Sequence, residues 1–139
     1  NATNVVPGFV ELGVDIRDVH TETMDGLVGR AEESLERIQT DRGVETSLRM
    51  TDTLEPSPMS ERVMEGLRAA IEAESIDVME LASGAGHDSQ NVATVTEAGM
   101  VFARSRDGIS HSPDEWTDWS DCAVASRVVA SALADLAGG

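Results

Sequence analysis

The stretch Gly84–Pro113, GAGHDSQNVATVTEAGMVFARSRDGISHSP, decides how this chain is read. It carries two of the three histidines, His87 and His111, each in a short loop of small residues, GAGHD and GISHSP. Between them lies MVFA, residues 100–103, a compact apolar run with the character of a buried strand. Loops of Gly, Ser and His at the ends of a buried strand are how α/β enzymes present reactive groups at the edge of a sheet.

Working outward, the chain on the C-terminal side is helical from about Thr117 to Ala137. Ala125, Val128, Val129, Ala132, Leu133 and Leu136 recur there at helical spacing, and Gly138 is a stop. On the N-terminal side, Asp77–Ala82 (DVMELA) reads as a short strand. A helix from Ser60 to Glu74 precedes it, with Val63, Met64, Leu67, Ala70 and Ile71 on one side. Residues 59–139 thus read helix, strand, histidine loop, strand, histidine loop, helix, an α/β layer pattern.

A Pro- and Ser-containing connection over residues 52–60 marks a domain boundary. Before it, residues 1–58 read strand, helix, strand. In residues 5–17, Val10, Leu12, Val14 and Ile16 share one face and Glu11, Asp15 and Arg17 the other, the period of two of a half-buried strand. Arg17 ends that strand on its polar face, where it is either a solvated charge or a partner for Asp15 or Asp18. Residues 24–42 follow the helical stripe Met24, Leu27, Val28, Ala31, Leu35 and Ile38, with Thr23 as the starting cap and Gly43 as the stop. Val44, Thr46, Leu48 and Met50 alternate again with polar neighbours. Two strands alone are marginal, so this unit calls for further strands.

Composition narrows the partners. The net charge is −16 over 139 residues, with 40% hydrophobic residues. All ten cationic side chains are Arg; there is no Lys. Such a surface repels nucleic acid and anionic membrane alike. It also fits a cytoplasm of high salt, where concentrated ions screen self-repulsion. The single Cys122 excludes an intramolecular disulfide and lies in a helical pattern, as a small buried apolar residue would. No signal peptide and no apolar run of about 18 residues occurs, which suggests a cytoplasmic location. The start at NATNVVPG, without an initiator Met, suggests a piece of a longer protein.

For chemistry, a His in a Gly/Ser loop can ligate a metal through neutral imidazole. For His111, Gly108 would let the backbone approach closely, and Asp114 and Glu115 are near enough in sequence to orient the ring. The competing reading is a loop His bonded to a backbone carbonyl. His20, in a polar stretch, reads as a surface residue. A catalytic metal site needs three or more ligands and an open position, and neither H-x-D nor H-E-x-x-H is present. Ser110 and Ser112 flank His111, but sequence neighbours rarely form a nucleophile–base pair, and G-x-S-x-G is absent.

Three strings, SGAGHDSQ, GMVFARSRDGISHSPDEWT and NATNVVPGFVELGVDIRD, closely resemble the N-carbamoyl-L-amino-acid hydrolases. These are relatives of allantoate amidohydrolase and β-ureidopropionase in the dinuclear-metal aminoacylase/carboxypeptidase superfamily. The resemblance runs over nearly all of the chain but only over the C-terminal third of the family. It implies an α/β fold: half of a ferredoxin-like lid, or dimerisation, unit over residues 1–58, then the C-terminal segment of a zinc-peptidase-like catalytic domain over residues 59–139.

The resemblance also implies roles. His111 matches the last protein ligand of a centre of two divalent ions, zinc, manganese or nickel. Asn4 and Arg17 match lid residues that hold a substrate carboxylate, and a planar guanidinium suits that task. Gly108 and the GAGHD loop, with His87, match the lining of the substrate pocket. No catalytic base is matched within the chain; the family's base lies upstream of the matched third. The implied partners are a small-molecule carboxylate substrate and a second copy through the lid, with no nucleic acid and no membrane. Taken alone, the chain would be inactive and metal-free or weakly metal-binding. The alternatives are an allantoate or other ureido-acid amidohydrolase, or a non-catalytic dimerisation or interaction module.

Overall fold

The computed structural model describes residues 4–138. They fall into two compact units, one running to Pro56 and one from Ser57 onward.

The first unit is built around one long helix, α1 (Thr21–Arg42). It starts two residues before the expected Thr23 cap; Thr21 instead donates its hydroxyl to Glu55 Oε2 at 2.8 Å. Gly43 ends it in the left-handed conformation (φ 63°) and returns its N–H to Gln39 O at 2.9 Å. A residue with a Cβ would strain that stop. The stripe Met24, Leu27, Val28, Ala31 and Leu35 is half-covered, and no residue of α1 is fully buried.

The second unit is held by α2 (Glu61–Ala73) packed on α4 (Trp119–Gly138). Leu67 and Ala70 of α2 meet Val128 and Ala132 of α4, with Val63, Met64, Ile71, Val101 and Val124 packed around them. Small residues at the crossing let the helices approach closely; Gly66 faces Leu136. A short helix, α3 (Asp88–Ala93), and a 3₁₀ turn at Arg106–Gly108 lie between them. Residues 97–101 lean on α2: the Ser60 N–H donates to Ala98 O at 2.9 Å, and the Ser60 hydroxyl and Arg62 guanidinium both reach the Glu97 carboxylate at 2.8 Å. Gly99 fits closely here: a Cβ at this position would stand 2.6 Å from Val63 Cγ1, so any side chain would force Val63 to shift.

Several expectations are corrected. Among the described residues there is no β-strand, so neither the α/β sheet nor the strands of a ferredoxin-like half-lid are present. The reason is pairing. A period of two selects which side chains share a face, but a strand exists only where a neighbour accepts its N–H groups and donates to its carbonyls. Val10, Leu12 and Val14, expected on a buried face, are 63%, 80% and 75% exposed. The segment 44–51 has Val44, Leu48 and Met50 exposed. Asp77–Ala82 likewise forms no ladder. The MVFA run is only partly interior: Val101 packs on the helical core, whereas Phe102 is half exposed. Val129 and Leu133 point outward on α4, and Cys122 is half-buried rather than buried. The helices at 60–74 and 117–137 form within two residues of the expected bounds.

Candidate functional site

Within the second unit the chemistry-bearing residues lie on two loops. The first, Ser83–His87, leads into α3, with His87 at the helix start. The His87 N–H donates to Gln90 Oε1 at 3.2 Å, and the Gln90 N–H returns to His87 O at 3.0 Å. The half-buried imidazole is held from two sides. Its Nε2 lies 2.7 Å from Ser83 Oγ, and its ring meets the Phe102 ring edge-on, with centroids 5.9 Å apart. Sequence reasoning placed His87 in the pocket wall but missed both partners. The signal for Ser83 was its spacing, four residues ahead of the histidine.

The second loop runs from Arg104 to Asp118, into the start of α4, and is clamped at its base. The Arg106 N–H donates to Trp116 O at 2.8 Å, and its guanidinium lies 5.8 Å from the Trp116 ring centre. Asp118 Oδ1 accepts from Trp116 Nε1 at 3.0 Å and from Arg106 Nη2 at 3.1 Å. The indole N–H first, and then the guanidinium, hold the Asp118 carboxyl below the usual range. Arg104 reaches Asp121 at 3.3 Å. These paired groups line a shallow cavity of about 300 Å³ with Ser105 and Asp107. The clamp turns a polar loop into a fixed support.

Inside the clamp the backbone takes unusual shapes. Asp107 (φ 55°) and Gly108 (φ 69°) are both left-handed, and the turn closes through the Gly108 N–H to Ser105 O at 3.2 Å. Nothing lies within 4 Å of a Cβ at Gly108, so the glycine serves the turn's conformation rather than a close approach. His111 is left-handed too (φ 56°). For a residue with a full side chain this conformation costs on the order of 1 kcal/mol and persists where neighbours enforce it. Glu115 enforces it by accepting the His111 backbone N–H at Oε2, 2.9 Å away. Glu115 therefore holds the backbone of His111, not its ring, and the Asp114 N–H is turned to Ser112 Oγ at 3.3 Å. The His111 ring is exposed and makes no hydrogen bond among the described residues, neither to a carboxylate nor to a backbone carbonyl.

Of the two residues assigned to carboxylate binding, both in the first unit, Asn4 lies exposed in a turn. Arg17 grips the Asp15 carboxylate with two parallel contacts, Nε to Oδ1 at 2.9 Å and Nη2 to Oδ2 at 2.5 Å. The guanidinium holds the Asp15 carboxyl below its ordinary range. Arg17 thus already displays, toward its own neighbour, the fork geometry that a substrate carboxylate would use.

Among the described residues, no group of three or more His, Cys, Asp or Glu side chains could hold a metal ion. His111 offers one free imidazole, and a divalent ion needs three or four protein ligands. The described residues by themselves do not fit a metal centre. No helix among them is long and apolar enough to cross a membrane.

Comparison with known proteins sets these loops in a family. The model of peptidase family M20/M25/M40 matches residues 4–135, and the chain belongs to that family. An N-carbamoyl-L-amino-acid amidohydrolase of Pseudomonas sp. (strain NS671) is 35% identical over 127 residues, 91% of this chain and 31% of that protein. A protein of the same description from Geobacillus stearothermophilus is 35% identical over 136 residues, 98% of this chain and 33% of that one. An allantoate amidohydrolase of Bacillus subtilis (strain 168) is 31% identical over 137 residues, 99% and 33%. The chain therefore spans about a third of the length of the curated relatives it matches.

Proposed function

We propose that this chain is the substrate-recognition third of an amidohydrolase that cleaves the carbamoyl C–N bond of N-carbamoyl-L-amino acids. The observation that carries the reading is the near end-to-end similarity to two amidohydrolases named for that substrate. In this reading Arg17, with Asn4, binds the substrate carboxylate. His87 and Gly108 line the pocket around the ureido group. His111 contributes one imidazole to a divalent metal centre, and the other ligands and the base belong to the two thirds of the relatives that this chain does not span. The metal would polarise the scissile carbonyl and supply a nucleophile. No hydrolytic step is derived from this chain, since its described residues do not assemble that centre. The Arg17 fork on Asp15 supports the carboxylate assignment: the side chain is extended, solvent-accessible and in two-point geometry.

The similarity to allantoate amidohydrolase supports a neighbouring reading in which the ureido acid is allantoate, with the same guanidinium serving its carboxylate. A second class, a non-catalytic interaction module, is favoured by one observation: Val6, Phe9, Leu12 and Val14 are exposed on the first unit.

Titration of the purified chain with N-carbamoyl-L-amino acids and allantoate, followed by the Arg17 Nε–H resonance, tests the reading. Carboxylate-bearing ureido compounds should perturb that resonance, and their amide counterparts should not. Silence toward all of them would leave the interaction module. The chain alone should not hydrolyse these compounds with added zinc, manganese or nickel. Turnover would mean that base and ligands lie within these 139 residues.

A further inference from the structure

We propose that the outward face of α4 docks a second copy of this chain, with two α4 helices packed antiparallel about a two-fold axis level with Val128.

α4 spends only one side on α2. Val124, Val128 and Ala132 face that core. The opposite side carries Trp119, Ala123, Ser126, Ala130, Leu133 and Ala137, all exposed, with Trp119 at 79% and Leu133 at 61%. Alternating steps of four and three residues put these six in one seam along the helix, the spacing by which helices pair knobs-into-holes. Val129, also exposed, widens the seam at one edge. None of the six is charged, in a chain of net charge −16. Copies of so acidic a chain repel one another, and a surface without acid is where they can approach. The cation beside the seam, Arg127, is already gripped by Glu74 of α2 with contacts of 2.6–3.0 Å and brings no unbalanced charge to it.

Residue size then selects the occupant and the direction. An antiparallel pair centred at Val128 sets Trp119 of each copy against Ala137 of the other, Leu133 against Ala123, and Ser126 against Ala130. Each large side chain meets a methyl group, so the layers fill evenly. A parallel pair would stack Trp119 on Trp119 and Leu133 on Leu133, with underfilled Ala layers between them. A patch that complements itself under a two-fold rotation is what an isologous interface requires. One helix pair covers less than the standard interface of about 1,600 Å², so the dimer is weak and concentration-dependent.

The test is sedimentation equilibrium of the chain in about 1 M potassium chloride, where repulsion between copies is screened. Wild type should pass from monomer to dimer below about 1 mM. Ala130→Glu puts a good helix former at an exposed position, so the circular dichroism and melting of the monomer should stay as they are. It should weaken association at least about tenfold, because it sets two carboxylates into the centre of an apolar seam. Disulfide trapping in a Cys122→Ala background reads the direction. An equimolar mixture of Ser126→Cys and Ala130→Cys chains should oxidise to the mixed dimer ahead of either homodimer, as read by mass spectrometry. A chain that stays monomeric at about 1 mM would overturn the proposal and leave the face to another occupant. A dimer that survives Ala130→Glu would overturn it too and move the contact to another surface. Homodimers trapped ahead of the mixed one would overturn the antiparallel register.

Discussion

At the scale of single residues, shape and charge are each decided by one near neighbour. Gly99 has room for a hydrogen and nothing larger, since a methyl there would press on Val63 Cγ1 at 2.6 Å and Leu67 Cδ1 at 3.2 Å. Gly99→Ala should therefore destabilise the second unit by about 1–3 kcal/mol, the usual cost of overpacking. Urea unfolding checks it, and Val63→Ala in the same chain should recover part of the loss. The Arg17 fork makes a second case. Asp15 and Arg17 are both largely exposed, so their pairing is weak and exchangeable. Asp15→Asn should remove one competing carboxylate and tighten N-carbamoyl amino acid binding, whereas Arg17→Ala should weaken it several-fold. Calorimetric titration of both variants decides this; unchanged affinity in both would move the carboxylate anchor elsewhere. Neither contact could be read with certainty from the residues alone. The sequence allowed Arg17 to pair with Asp15 or Asp18, and only the folded backbone selects Asp15.

At the scale of elements, α2 and α4 hold the second unit through an apolar seam and charged ends. Arg127 on α4 grips Glu74, the residue that closes α2, with contacts of 2.6–3.0 Å. That guanidinium holds the Glu74 carboxyl below the usual glutamate range. Arg68 does the same for Glu80, and Ser60 with Arg62 for Glu97. A carboxyl with a folded pKa below its unfolded value adds stability that is complete above the unfolded pKa, about 4.3 for glutamate. That stability is lost as pH falls through the folded value. The second unit should thus lose stability below about pH 4. Glu74→Gln should lower stability at pH 7 and flatten the acid limb, a difference that shrinks as pH falls through the lowered folded value of the wild-type carboxyl. Thermal melts across that range check it. The helices behind this argument were legible in the sequence because each carries its own period, cap and hydrogen bonds. The segments with a period of two were legible only as patterns. Their bonds depend on a neighbouring chain segment that no local signal supplies.

At the scale of the whole molecule, charge dominates. The net charge is −16, and α1 displays Glu22, Asp25, Glu32, Glu33, Glu36 and Asp41 on a helix that buries no residue. No ion pair joins two side chains of α1. Glu32 and Glu36, four residues apart, repel along one face. Screening should relieve this repulsion, since the Debye length falls from about 10 Å at 0.1 M to about 3 Å at 1 M salt. The unfolding midpoint should rise with potassium chloride through the molar range, and α1 helicity with it. A midpoint that is flat or falls would remove the high-salt reading and leave an ordinary acidic surface.

The sequence by itself determined membership of the family, three of the helices and the identity of the residues that carry chemistry. Those properties reside in residue type and short-range spacing, which folding does not alter. Tertiary structure alone decided what each of those residues touches. It set His87 against Ser83 and Phe102, turned Glu115 to the backbone of His111 rather than its ring, and left the expected strands without ladders. The physical reason is that a hydrogen bond or a packed contact between distant residues belongs to the pair. It forms only where the chain brings both partners within reach.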